Sequence, residues 1–304
     1  MKTDKISTEN IYGSELYPQK DQGPKNESKY TLIPVKTDYI KPNESYDMII
    51  KCSADLLNDG DFLVISETPI SVSQGRLVDE SKFKASFLSF LLADIWSKYI
   101  WGYLLGPIFR IKSRTIQNLR KLPPEARVHK RVILEHYGLK HALKPASEAG
   151  VDLSNVPGTM VSLLPENPND VAKDIAKKIM HDLKIDVTVM IIDTDASYQL
   201  IGKKFTSLPI AVPGIKSDLG IFGYLLGRFG KILGPTPLGV SRPEKLDTML
   251  KIAKLAEEYH ENNEKDIKTV YDMENIFEGD ITGITIEMLN SVEHTPAIIV
   301  RRLF

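Results

Sequence analysis

One cysteine, Cys52, is all that the 304 residues carry, so an internal disulfide and an all-cysteine zinc site are both excluded. Its neighbours Ile50 and Ala54 predict a buried helical or strand position, where a free thiol acts as a small core residue. A surplus of either charge is also lacking, with 39 Lys and Arg against 40 Asp and Glu. That balance gives no bulk field to gather nucleic acid or an anionic membrane, so no nucleic-acid partner is expected. No GxxxxGK[ST] run is present and no GxGxxG follows a strand, which removes the two common phosphate cradles. Histidines 129, 136, 141, 181, 260 and 294 show neither HExxH nor HxxxH spacing, which disfavours a zinc protease site. The opening stretch lacks an apolar run of secretory length, so the expectation is a cytoplasmic protein with a flexible polar arm over residues 1–29.

What is present is enough chain for a large buried core without covalent staples. Tyr30 to Val35 reads as a strand, Asn43 to Leu57 as a helix, and Phe62 to Ser66 as a second strand after the turn at Asn58, Asp59 and Gly60. Thr68 to Arg76 reads as a loop. Val132, Leu134 and His136 alternate, and with a turn at Gly138 and a return through His141 they predict a hairpin. Asn167 before Pro168 predicts a capped helix start, and Val171, Ile175, Ile179 and Leu183 mark one face of that helix. Val187 to Ile192 is a β-branched run that empties into Asp193, Thr194 and Asp195, and open α/β sheets place ligands at such strand ends. Gly214 to Gly239 is punctuated by glycine, with GPTPLG ending it as a rigid loop. A helix from Pro243 to Tyr259 and a strand from Ala297 to Leu303 close the chain.

Ser86 to Phe109 has the length of a membrane span, but Asp94 and Lys98 near its middle argue against one. On a helical wheel of ordinary pitch Leu88, Leu91, Leu92, Ile95, Trp96, Tyr99 and Tyr103 form one stripe, with Asp94 and Lys98 a turn apart as a pair. Phe87, Phe90 and Trp101 add apolar surface beyond that stripe. Burial in the fold or at a dimer interface is the first reading, and contact with a membrane surface through residues 86–109 is the second.

Two acidic loops carry the chemistry. Gly150-Val151-Asp152-Leu153-Ser154-Asn155 and Asp193-Thr194-Asp195 offer the carboxylate and hydroxyl oxygens that hard cations such as magnesium or manganese select. Asp, Ser, Asn and Gly are also the ordinary turn residues, so composition alone assigns each loop to a turn or cap before a metal site.

The strings AGVDLSNV, LLPENP and IIDT, in that order, resemble the ligases that add glutamate to the precursor of the deazaflavin coenzyme F-420. IPVKTDYI, LNDGDFLVIS, the loop ending in QGR and the final PAIIVRR resemble the same family. The resemblance covers residues 30–304 except 86–131, which match nothing in it. It implies an α+β fold of mixed sheets with flanking helices, intertwined as a homodimer. It also implies GTP as co-substrate, magnesium or manganese, and a γ-glutamyl amide made through an acyl phosphate. The implied partners are a nucleoside triphosphate, L-glutamate or a similar amino acid, and a phosphorylated acid acceptor. Carried over by position, Asp152, Asp193 and Thr194 match metal ligands, while Pro34, Val35, Ser66 and Asn155 match the nucleotide site. Arg76, Lys203, Lys204 and Arg228 are the candidates for substrate carboxylates. Three positions depart from the family pattern: Val72 stands where a lysine is usual, Glu148 where an asparagine is usual, and the DTxGR arginine is absent. A homologue that binds nucleotide or metabolite but has lost ligase chemistry is the alternative.

Overall fold

The computed structural model describes residues 29–146, 148–262, 273, 276–277 and 283–303. Residues 1–28 of the expected arm therefore lie outside the described residues.

The fold is built on one mixed sheet. Strand β1 (Tyr30–Thr37) pairs antiparallel with β8 (His294–Arg302), and β8 antiparallel with β2 (Phe62–Ser66). Strand β2 then runs parallel to β5 (Thr188–Leu200), which carries both β6 (Lys203–Thr206) and β7 (Lys231–Val240) antiparallel. A small second sheet joins β3 (Leu77–Asp79) to β4 (Met160–Ser162).

The central strands are apolar on both sides because both sides are covered. The pleat sends Leu63, Ile65, Val189, Ile191 and Ile299 to one face, where they meet α1 (Asp47–Ser53) and Ile175 and Ile179 of α7 (Pro168–Leu183). Val64, Met190, Ile192, Ile298 and Val300 go to the other face and meet α9 (Leu246–Asn262) through Met249, Ile252 and Ala253. The result is a helix, sheet and helix arrangement that agrees with the α+β expectation.

Several local readings are overturned. Cys52 is exposed, because the inward face of α1 is carried by Ile49, Ile50 and Ser53. Of the loop expected over Thr68 to Arg76, residues 68–73 belong to the short helix α2 (Glu67–Ser73), directly after β2. The predicted hairpin is helical: α5 (Ala126–Tyr137) and α6 (Leu139–Ala142) meet at Gly138, whose positive φ of 78° makes the turn. Pro123-Pro124 ahead of this segment is a helix-start signal that outweighs three alternating residues. Asn167 adopts a left-handed conformation and makes no side-chain cap bond; its carbonyl instead accepts from Asp170 and Val171. The glycine-rich stretch contains α8 (Ile221–Gly227), and GPTPLG lies inside β7 rather than ending a loop.

The apolar block forms one rod, α3: an α turn at Phe87–Phe90, a π-helix over Leu91–Leu105 and a last turn at Gly106–Ile108. Helix α4 (Ser113–Arg120) packs back on it. Bonding from i to i+5 widens the π turn, so a face repeats every four to five residues, at roughly 4.4. Ala93, Ser97, Trp101, Gly102 and Gly106 are buried at that spacing. The wheel drawn at ordinary pitch therefore fails, and so does its ion pair. Asp94 accepts two bonds from Arg127 at 2.7 and 2.8 Å, and Lys98 donates to the Leu122 carbonyl at 2.9 Å. Among the described residues no helix is long and apolar enough to cross a membrane.

Candidate active site

Register brings the acidic residues together. Ser66 lies beside Ile192 where β2 and β5 run parallel, so Glu67 and Asp193 leave the same end of neighbouring strands. Strand β5 does not stop there, contrary to the sequence reading. Asp193 faces Thr236 and Ala196 faces Pro235, so Thr194 and Asp195 bulge out with no counterpart on β7. Bulges of this kind re-aim side chains beside functional sites. The Thr236 hydroxyl donates to the Asp195 carbonyl at 2.6 Å and holds the bulge open.

The second loop closes onto the first through Gly150. It has φ +69°, and a Cβ there would stand 2.6 Å from Asp193 Oδ2, so only glycine lets the chain pass. Two residues on, Asp152 exchanges backbone bonds with Ser162 of β4, and its carboxylate accepts from Ser154 N at 2.9 Å and Ser154 Oγ at 2.5 Å. Asn155, with a positive φ of 55°, gives its carbonyl to the Tyr39 hydroxyl at 3.1 Å.

These groups line one cavity. Thr37 and Tyr39 from the end of β1, Ser66 and Glu67, Asp152, Asn155, Thr194 and His294 all face it. Asp193 sits just beneath, 3% exposed, with Oδ1 accepting from Asp195 N at 2.6 Å and Oδ2 buried without a hydrogen-bond partner. Burial, then the neighbouring Asp195, raises the Asp193 carboxyl to about 8. Burial together with the Asp193 and Asp152 charges pushes Glu67 well above the usual carboxylate range. Burial also raises Asp152, against the pull of Ser154. Three crowded acids with one orphaned carboxylate oxygen suit a bound cation, because its charge would relieve the repulsion that now favours protons. Among the described residues no group of three or more His, Cys, Asp or Glu side chains is placed to hold a metal ion by itself. A cation here would take further oxygens from Thr194 and from substrate, the habit of magnesium sites.

The remaining expected residues are placed elsewhere. Val35 is fully buried in the core and Pro34 pairs opposite Ile298; neither lines the cavity, which β1 reaches through Thr37 and Tyr39. Arg76 binds Glu166 at 2.6 Å, Lys204 binds Asp247 at 2.7 Å, and Arg228 stacks over Tyr224 at 4.4 Å. Lys203 is exposed on β6. None of the four lines the cavity with the acids.

The cations that do reach the acids come from the helical segment. Lys144, 1% exposed, donates to Asp195 Oδ2 at 3.1 Å and Ser207 Oγ at 2.9 Å. Lys130, 2% exposed, contacts Glu148 at 2.5 Å. Burial alone would raise Glu148, but Lys130, His129 and Lys144 hold it below its ordinary range. Glu148, read from the sequence as a departure from the family pattern, is thus matched by buried cations. Val72, where the family's lysine is usual, is 1% exposed and lies in the cavity wall.

Sequence reasoning missed Glu67 and Lys144. Glu67 carried a signal, as the residue leaving a β-branched strand beside a second such strand. Lys144 carried none, since its partner lies 51 residues away.

The chain is also similar to known proteins. A family model described as F420-0:Gamma-glutamyl ligase matches residues 34–270. An uncharacterized protein of Methanocaldococcus jannaschii is 42% identical over 284 residues, spanning 88% of this chain and 95% of that protein. The coenzyme F420:L-glutamate ligase of Methanopyrus kandleri is 27% identical over 156 residues, about half of each chain at 51% and 55%.

Proposed function

The chain belongs to the F420-0:gamma-glutamyl ligase family, and from that premise we propose that it joins an amino acid such as glutamate to an acid acceptor, at the cost of a nucleoside triphosphate. Asp152 and Thr194 line one cavity and the buried Asp193 adjoins them, beside Gly150 and Glu67; this carries the reading. Asp152, Asp193 and the Thr194 hydroxyl would hold a magnesium or manganese ion, which would supply neutralising charge for phosphate oxygens. The chain's own groups do the rest. Asn155 and Ser66 line the cavity where a nucleotide would lie, with GTP the nucleotide suggested by resemblance. Glu67, whose burial beside Asp193 and Asp152 favours the protonated form, would in that form offer a hydrogen bond to an anionic group instead of repelling it. Lys144 fixes Asp195, and through it the bulge that presents Asp193 and Thr194.

The acceptor carboxylate attacks the terminal phosphorus of the nucleoside triphosphate, breaking its bond to the bridging oxygen, so an acyl phosphate forms and the nucleoside diphosphate leaves. The amine of the amino acid then attacks the acyl carbon, releasing phosphate and a proton and leaving the amide. Phosphate release should require nucleotide, glutamate and acceptor together, and should fall at least about a hundredfold in Asp193→Asn. Release that persists in that variant would remove the site from the chemistry. Val72 favours a second reading, binding without transfer, because its buried methyl groups occupy the wall where the family places a cation. Saturable nucleotide binding with no phosphate release for any acceptor would select it.

A further inference from the structure

The outer side of the helical segment carries large apolar side chains in water. Phe87 is 77% exposed, Leu104 58% and Ile108 62% on α3, and Phe222 and Phe229 at α8 are 63% and 69% exposed. These are neighbouring surfaces: Trp101 of α3 packs edge-on against Tyr224 of α8 at 5.5 Å, and both belong to one buried cluster. Apolar surface of this kind on a folded chain marks a contact site.

Charge says which contact. From Ile95 to Pro124 the sequence holds six Lys and Arg and no Asp or Glu. Arg110, Lys112 and Lys121 are exposed, and Arg120 lies over the Tyr103 ring at 4.5 Å. In the sequence, Asp94 and Glu125 flank the stretch, and Asp94 is clamped by Arg127; Asp218, ahead of α8, is bound by Lys140 and His141. A second copy meeting this face about a two-fold axis would set cations against cations. A span is excluded for α3, whose inner face is filled by the packing of Trp101, Ile111 and Leu119. An anionic lipid surface answers both properties, taking apolar side chains between headgroups and matching the cations with phosphates.

We propose that α3 and α8 dock this protein on anionic membranes as a peripheral contact. The face lies apart from the cavity acids, so this inference stands or falls independently of the ligase reading. The test is co-sedimentation of the full chain with phosphatidylglycerol-containing vesicles against pure phosphatidylcholine vesicles, over a salt series. The wild type should pellet with the anionic vesicles and release at high salt. Arg110→Glu/Lys121→Glu and Phe222→Ser/Phe229→Ser should each weaken partitioning about tenfold or more. All four positions are exposed, so circular dichroism should report an unchanged fold. Equal partitioning onto neutral vesicles, no partitioning at all, or partitioning untouched by both variants would overturn the proposal. So would a solution dimer that the phenylalanine variant dissociates.

Discussion

Asp193 is the side chain on which the site turns. A carboxyl raised on folding binds more protons in the native than in the unfolded chain between the ordinary carboxylate range and about 8, so stability is lost as pH rises through that window. The metal-free protein should therefore melt lower at pH 8 than at pH 5, with a slope of up to about 1.4 kcal/mol per pH unit from this group. Asp193→Asn should flatten that slope; an unchanged slope in thermal melts would show that other groups set it. Lys144 makes a second prediction, since one partner of a buried pair cannot be removed cheaply. Lys144→Met should cost about 3 kcal/mol, and adding Asp195→Asn should recover part of it. Chemical denaturation of both variants measures this, and additive losses would mean the pair is not coupled. Asp152, Asn155, Asp193 and Thr194 were legible in the sequence because their strings resemble a family. Lys130 on α5 and Lys144 in the bend after α6 were not, because a lysine looks solvated until the fold supplies a buried acid.

At the scale of elements, two backbone devices make the site. The bulge in β5 turns a strand interior into a presenting loop, and sequence alone places that loop at the strand's end because a bulge leaves no compositional mark. Gly150 is the second device. Alanine there would need a strained φ and would meet Asp193 Oδ2 and Leu164 at 2.6 Å. Gly150→Ala should therefore open the Asp152 loop and abolish cation binding, read by the electron paramagnetic resonance of manganese; retained binding would mean that the loop tolerates the shift. In the rod α3, the hydrophobic stripe was visible but its pitch was not, since periodicity at 3.6 residues assumes ordinary helical bonding. Trp101, fully buried between α3 and α8, was read as surplus surface for that reason. Trp101→Ala should destabilise the protein by about 3–5 kcal/mol, whereas Tyr99→Ala on the exposed side should change it little.

At the scale of the molecule, the long buried strands were the most legible part. Phe62–Ser66 was read to the residue, because a β-branched run after an Asn-Asp-Gly turn has few alternatives. Residues 86–131 were the least legible: the sequence reading matched none of them to the family, although the family model runs across them over residues 34–270. The main sheet brings a cluster of acids to one end of a parallel strand pair, and Lys130 and Lys144 supply the cations that meet Glu148 and Asp195. The measurement that bears most directly on this arrangement is calorimetric titration of GTP, with and without manganese, into the wild type and an Asp152→Asn/Asp193→Asn variant. Saturable binding that needs manganese and disappears in the double variant is the predicted result. Binding that is equal in both proteins, or no binding of GTP or ATP to the wild type, would contradict it.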